Sequence, residues 1–169
     1  IRKLGLRPLL DYCVLAGQAA SSIDRIVCST DSHVIANRAQ ELQIETFNRP
    51  EELGGDDVEI SDVVIDFLHS IFRQEGVIAE CIALLQPTSP FILPDQIDKC
   101  CLELFSDPLL GSAQTVILCP HNSHAYNQRI IKDGNIEWKF PKERTVSYNK
   151  QSKPSHYLFG NLVVFRSEA

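Results

Sequence analysis

Methionine is missing from all 169 residues, position 1 included, so the sequence reads as a fragment or as a chain without its natural start. Long apolar runs are missing as well. Nothing approaches the roughly 20 consecutive apolar residues that a membrane-spanning helix needs, and no secretory leader precedes the first helical pattern. A basic excess is also absent: 16 Lys and Arg stand against 22 Asp and Glu, a formal net charge of −6. That balance argues against nucleic-acid binding as the main activity, because such binding shows as a basic field. An anionic substrate would require local cations or a divalent metal. The six cysteines, Cys13, Cys28, Cys81, Cys100, Cys101 and Cys119, contain no Cys-x-x-Cys. Zinc-ribbon and disulfide frameworks are therefore set aside, and the thiols are read as reduced core residues of a cytoplasmic protein. There is no internal repeat and no low-complexity tract.

What is present is the composition of an ordinary globular domain, 44% hydrophobic and 22% charged, long enough for one sizeable core. Pro8 suits the first turn of a helix, and Leu9, Leu10, Cys13, Val14 and Ala16 continue an apolar face to about Ser21. Ile26-Val27-Cys28 predicts a short buried strand ending in the polar corner Ser29-Thr30-Asp31-Ser32, which can cap a helix over roughly 33–42. Ile44 to Phe47 predicts a second strand, stopped by Arg49-Pro50, and an acidic loop follows over 51–59. Val63, Val64, Phe67, Leu68, Ile71 and Phe72 recur at three- and four-residue spacing, which predicts a strong amphipathic helix. Cys81 to Leu85 is apolar without alternation, the habit of a strand buried on both faces. After it, Pro94 opens a helix with Ile97, Cys100, Cys101 and Leu104 inward, and Thr115 to Cys119 predicts another buried strand. Alternating helices and strands imply an α/β fold with a mostly parallel, layered sheet. The pattern then changes. Asp133-Gly134-Asn135 between two short β-like runs predicts a hairpin, 141–154 reads as a basic surface loop or arm, and Tyr157 to Arg166 as a strand.

Three polar clusters follow strand carboxyl ends: Ser29 to Ser32, Arg49, and the Gln86-Pro87-Thr88-Ser89-Pro90 corner. In open α/β sheets that edge is where ligands sit. Arg49 offers a planar fork for phosphate or carboxylate, or else a surface ion pair with Glu51 or Glu52. Gln86 can both donate to and accept from a sugar hydroxyl, and Pro-Thr-Ser-Pro is either a ligand-facing corner or a plain turn. Asp31 and Asp56 read as caps or turn residues, with a ligand role as the other option. Cys119-x-His121-x-x-His124 carries metal-type residues, but Pro120 and the loop context favour a solvent-facing turn. His33 and His69 read as surface residues of helices, Trp138 and Tyr157 as packing or interface aromatics, and Cys100-Cys101 as pointing to different helix faces.

Ile26-Val27-Cys28-Ser29-Thr30-Asp31, Phe47-Asn48-Arg49-Pro50-Glu51-Glu52-Leu53, the acidic loop with Asp56, the helix with Asp62-Val63-Val64, and Leu85-Gln86-Pro87-Thr88-Ser89-Pro90 occur in this order. Together they resemble the acylneuraminate cytidylyltransferases, the CMP-sialic acid synthetase family, from about residue 1 to 125 and more thinly afterwards. The resemblance implies a Rossmann-like nucleotidyltransferase layer sandwich with a small β-hairpin dimerisation element, spanning 1–169 as one domain with an arm inserted at about 125–157. It implies transfer of CMP from CTP to the anomeric hydroxyl of a sialic-acid-like 2-keto-3-deoxy (nonulosonic) sugar acid, with Mg²⁺ assistance and release of pyrophosphate, for surface glycans. By position it places Arg49, Asp56 and Ser61 on the nucleotide and Gln86 and Lys150 on the sugar acid. Asn122 to His124 falls near the family's His-Pro turn, and the hairpin implies a homodimer. No catalytic group and no metal ligand is singled out.

The departures are as specific. The family's phosphate-cradling Arg-Gly-Gly-Ser-Lys-type loop would lie just upstream of Ile1, and its metal-binding aspartates beyond Glu168-Ala169. Ile60 stands where the family has a cytosine-loop serine, with Ser61 adjacent, and Gly160-Asn161 stands for Asn-Gly. As given, the chain is not expected to hold triphosphate or metal in the family manner. Two further readings stay open: a truncated or degenerate, non-catalytic member acting as a dimerising or binding domain, and a sister enzyme of the CMP-Kdo type.

Overall fold

A computed structural model describes residues 1–167. A small antiparallel pair, β1 (Lys3–Leu4) and β2 (Arg7–Pro8), leads directly into α1 (Leu9–Ala19). Pro8 takes the N-cap position of α1, where its missing N–H has no helical partner to lose. β3 (Val27–Thr30), α2 (His33–Glu41) and β4 (Glu45–Asn48) form a crossover unit in sequence order, with β3 and β4 parallel and Ser29 opposite Phe47. A 3₁₀ turn at Glu51–Leu53 precedes α3 (Ile60–Glu75), which docks through an edge-on pair, Phe67 against Phe47, with centroids 5.3 Å apart. Gly76, at φ 67°, ends α3 in the left-handed conformation that costs glycine nothing.

β5 (Cys81–Leu84), α4 (Pro94–Ser106) and β6 (Ser112–Leu118) follow, then β7 (Arg129–Lys132), β8 (Asn135–Trp138), α5 (Pro141–Val146) and β9 (Tyr157–Arg166). β9 lies between β5 and β6, and it runs antiparallel to β5 with Cys81 opposite Arg166. The parallel pairing expected for most of the sheet is found in β3–β4, whereas the last strand returns against β5 in the opposite sense. β5 is half-buried along its length rather than closed on both faces. β6 begins three residues before the expected strand, and its Val116, Ile117 and Leu118 are exposed.

Two compact units divide the chain, Ile1–Thr115 with the chain from Asn161 onward, and Val116–Gly160. In the first, one apolar cluster joins Ala16 of α1 and Ala20 just after it, Ile97, Cys100, Cys101 and Leu104 of α4, and Leu162 and Val164 of β9. The spacing of those α4 residues places them on one inward face, as expected for the set, and Cys100 and Cys101 are both buried in it and not turned to different faces. Thr115 stitches β6 to β9: its Oγ1 accepts from Asn161 N (2.9 Å) and Leu162 N (3.1 Å) and donates to Asn161 Oδ1 (2.9 Å).

The loop between α1 and β3 is fastened to α4 by one carboxylate. Asp98 accepts from Ser22 Oγ at 2.6 Å, Ser22 N at 2.9 Å, Ser21 Oγ at 3.0 Å and Ser21 N at 3.1 Å. These donors, the Ser22 hydroxyl foremost, hold the Asp98 carboxyl down at about 2 against an ordinary 3.8. A pKa lowered by folding adds stability that is complete above the unfolded value and is lost as pH falls through the folded one. Asp98→Asn is therefore expected to lower the melting temperature at pH 5 and to make little difference at pH 1.5. Equal destabilisation at both pH values would show that the charge on Asp98 is not what the serines stabilise.

The second unit is built from turns and one hairpin. β7 and β8 pair antiparallel around Asp133 and Gly134, both at positive φ (49° and 77°), the geometry of a tight hairpin turn. The segment 141–154, expected as an irregular loop, instead contains α5 and a 3₁₀ turn at Lys150–Ser152. Arg129 and Arg144 stack on the Trp138 ring, their guanidinium carbons 4.0 and 3.6 Å from its centroid. Among the described residues of this unit His124 alone is fully buried.

Candidate functional site

The carboxyl ends of β3 and β4 bring two of the expected polar groups together. Arg49 follows β4 directly, and its N–H donates to Thr30 O at 3.0 Å, extending the β3–β4 ladder by one residue. Its guanidinium turns back over β3, with Nη2 donating to Ser29 O at 2.6 Å and Nε to Ser29 Oγ at 3.3 Å. The surface ion pair with Glu51 or Glu52 that the sequence allowed is not formed. A half-buried guanidinium is thereby oriented by the β3 corner and keeps Nη1 uncommitted toward the protein.

A small cleft of about 40 Å³ opens between the strand ends and α2, lined by Thr30, Asp31, Ser32, His33, Thr46 and Asn48 among others; Arg49 does not line it. Asp31 lies on its rim and presses on the turn after the 3₁₀ segment. A Cβ added at Gly54 would stand 2.6 Å from Asp31 Oδ2, so a side chain there would displace the Asp31 carboxylate from this turn. Ser32 precedes α2 as N-cap without a side-chain capping bond, and Thr30 Oγ1 accepts from Ser32 N at 3.1 Å instead. Asp56 is exposed in the loop that follows. Ser61 sits in the first turn of α3, exposed, with Oγ 3.3 Å from Glu59 Oε2. The structure gives neither of them a contact with Arg49.

Gln86, half-buried, lies two residues beyond β5 and opens a turn closed by Ser89 N donating to Gln86 O at 2.9 Å. The turn is anchored from beneath by a residue the sequence reading had taken only as core. Cys13, buried on α1, donates its thiol to Gln86 O at 3.1 Å and approaches Ser89 O at 3.8 Å. Burial pushes the Cys13 thiol up, which keeps it protonated and able to donate. A lone cysteine inside an amphipathic helix carries no sequence signal of that role. The side-chain amide of Gln86 remains available. Lys150 lies in the second unit, exposed at the start of the 3₁₀ turn.

The six cysteines are free, as expected. Among the described residues no three His, Cys, Asp or Glu side chains converge in a way that could hold a metal ion. The Cys119, His121 and His124 triplet is no exception. His124 is committed to its own loop: Nδ1 accepts from Tyr126 N at 3.1 Å, which leaves Nε2 to donate to Pro154 O at 3.0 Å. The aspartates expected beyond Glu168-Ala169 fall outside the described residues. No helix among the described residues is long and apolar enough to cross a membrane.

Arg49 after β4 and the Gln86–Ser89 turn after β5 both follow strand carboxyl ends, the edge where open α/β sheets take ligands. Residues 1–133 match the model of the Cytidylyltransferase family, and the chain belongs to that family. It is 37% identical over 97 residues to the CMP-N,N'-diacetyllegionaminic acid synthase of Legionella pneumophila, over 57% of this chain and 41% of that protein. In fold it is similar to a CMP:2-keto-3-deoxy-manno-octonic acid synthetase solved in complex with CTP, at a TM-score of 0.70 and 12% identity. That likeness covers 99% of this chain and 66% of the other. The fold is thus the Rossmann-like nucleotidyltransferase architecture that the motifs imply. The chain spans about two fifths of the curated relative's length and just under two thirds of the solved one's.

Proposed function

We propose that the chain is the nucleotide-and-sugar-acid domain of a CMP-sugar-acid synthetase, acting on a sialic-acid-like 2-keto-3-deoxy acid. In that reaction the anomeric hydroxyl oxygen forms a bond to the α-phosphorus of CTP. The bond from that phosphorus to the β-phosphate bridging oxygen breaks, pyrophosphate leaves with the electron pair, and the hydroxyl proton passes to solvent or a base. The protein's part is positioning and charge neutralisation. Arg49 is assigned to the nucleotide, with Asp56 and Ser61 in the loop and helix start beyond it. Gln86 is assigned between nucleotide and sugar acid, and Lys150 to the acid. Mg²⁺ belongs to this proposal through the resemblance, and no described residue is assigned to hold it. Localisation in the cytoplasm is inferred from the free thiols.

The observation that carries the proposal is the Arg49 guanidinium at the carboxyl end of β4, fixed on Ser29 with Nη1 left uncommitted. Calorimetric titration with CTP tests it. A hydrogen bond to a charged group contributes roughly 1.5–3 kcal/mol, so Arg49→Ala is expected to weaken CTP binding by roughly 10- to 150-fold. Gln86→Ala is expected to lower turnover without shifting the melting temperature. Identical CTP affinity in Arg49→Ala would remove Arg49 from the site, and unchanged kinetics in Gln86→Ala would remove Gln86.

A second reading, a dimerising domain without catalysis, is favoured by the second unit. Its hairpin exposes Ile131 (80%) and Ile136 (71%), and its helix exposes Val146, over almost no core. Large exposed apolar surface on so thin a unit fits burial against a second copy. A homodimer is part of the proposal in either case. The two readings separate on turnover alone.

A further inference from the structure

Three consecutive residues of α1 hold three different parts of the larger unit. Asp11 is paired with Arg38 of α2, the Tyr12 hydroxyl donates to Leu4 O at 2.7 Å, and the Cys13 thiol donates to Gln86 O at 3.1 Å. The rotation of the helix about its axis is thereby fixed, and with it the place of the thiol. One turn further on, Gly17 lies on the same helix face as Cys13. A Cβ added there would stand 3.1 Å from Ile26 Cδ1 and 3.2 Å from Leu85 Cδ1, closer than ordinary contact. The Cys13–Gly17 face therefore sits tight against the end of β5, where Leu85 directly precedes Gln86.

The thiol meets the turn at a point from which it can be aimed. Pro87 and Pro90 have no N–H, so this corner has few backbone donors of its own. Gln86 O accepts twice, from Ser89 N at 2.9 Å within the turn and from Cys13 Sγ beneath it, which occupies both lone pairs of the carbonyl. Ser89 O lies 3.8 Å from the same sulfur, so the thiol faces both ends of the four-residue turn. The Gln86 carbonyl belongs to the peptide plane that enters Pro87, and a following proline restricts residue 86 to extended backbone. Holding that plane fixes ψ of Gln86, and hence the direction in which its side-chain amide leaves the turn. Cys13 is 3% exposed, and burial pushes its thiol up, so the donor hydrogen is retained at neutral pH.

We propose that Cys13 is a positioning residue for the transfer step, its thiol holding the Gln86–Ser89 turn so that the Gln86 amide is aimed between nucleotide and acid. This rests on the assignment of Gln86 in the synthetase reading, and it adds a residue that acts through Gln86 alone.

The test compares Cys13→Ala with Cys13→Ser, which shorten the side chain alike and differ in the donor. Pyrophosphate release from CTP and Mg²⁺, with N-acetylneuraminate or 3-deoxy-manno-octulosonate, is followed at steady state. Cys13→Ala is expected to lower kcat by about 2- to 12-fold, the span of one neutral hydrogen bond, with KM for CTP unchanged. Cys13→Ser is expected to restore most of that loss. In a Gln86→Ala background, Cys13→Ala is expected to lower kcat no further, because the two residues act as one unit. Equal losses in the alanine and serine variants, or losses that add to those of Gln86→Ala, overturn the proposal.

A measurement without turnover separates it from the functional reading. In ¹⁵N NMR of the chain, Cys13→Ala is expected to shift the Gln86 side-chain amide and to speed hydrogen exchange at Ser89 N–H, and Cys13→Ser to leave both near the parent. Unmoved Gln86 and Ser89 signals in Cys13→Ala overturn the proposal even where turnover falls. No turnover by the unaltered chain, with those signals moved as expected, counts against the synthetase reading and leaves the hold of Cys13 on Gln86 standing.

Discussion

Replacing Arg38 with alanine is expected to lower the unfolding free energy by about 3–5 kcal/mol, because it strands a buried carboxylate. Asp11 is 2% exposed inside α1, and both its oxygens are held by Arg38 of α2, Nε donating to Oδ1 at 2.9 Å and Nη2 to Oδ2. The pair ties the first two long helices of the larger unit. Arg25 supplies the comparison. It also makes bidentate contacts, to Glu45 and Glu75, but all three groups stand in solvent. Solvent screening limits exposed pairs to about 0.2–1 kcal/mol, so Arg25→Ala is expected to cost no more than that. Urea titration of the two variants measures the contrast. Equal and small losses would mean that Asp11 finds water or another donor once Arg38 is gone.

Leu104→Ala is the second large effect, expected at about 2–5 kcal/mol. Leu104 is fully buried on α4 against Leu162 and Val164 of β9, the strand that pairs with β5. Removing its isobutyl group leaves a cavity against β9, the neighbour of β5. Leu102, two residues away, is 67% exposed, and its alanine variant is expected within about 0.5 kcal/mol of the parent. A Leu104→Ala variant that matched Leu102→Ala would place the core elsewhere. Because the turn at Gln86–Ser89 is anchored to α1, which shares that cluster, CTP affinity should fall less than stability does.

The pattern of the sequence made the α/β alternation legible, and for clear reasons. Val63, Phe67 and Ile71 recur at the helical period, and they lie on α3; Asp133-Gly134 is a turn that few other residues could make. β9 has the expected bounds because Tyr157 to Arg166 is a long β-favouring run between a proline-rich segment and the end of the pattern. What was illegible depends on contacts distant in sequence. Nothing at Asp11 announces a partner 27 positions later, and nothing at Cys13 announces the carbonyl of Gln86. Apolar runs also overstated burial. Val116 to Leu118 reads as core but is exposed, since an apolar run states a preference and not which element covers it. α5 was missed because six residues opened by a proline are too few for a period to show.

At the candidate site the same division holds. Arg49 and Gln86 could be placed from the sequence because strand ends are predictable from where apolar runs stop. The fixing of Arg49 on Ser29, and of Asp31 against Gly54, required the backbone. Lys150 was placed by resemblance alone, and it lies in the second unit.

The central claim is that this chain belongs to an enzyme that activates a sugar acid with CTP. Pyrophosphate release from CTP and Mg²⁺, with and without N-acetylneuraminate, 3-deoxy-manno-octulosonate or a legionaminic-type acid, tests it most directly. The account predicts release that requires one of these acids, is abolished when ATP replaces CTP, and falls in Gln86→Ala. Release that proceeds equally with ATP, or no release with any acid from protein that binds CTP and is folded, would contradict it.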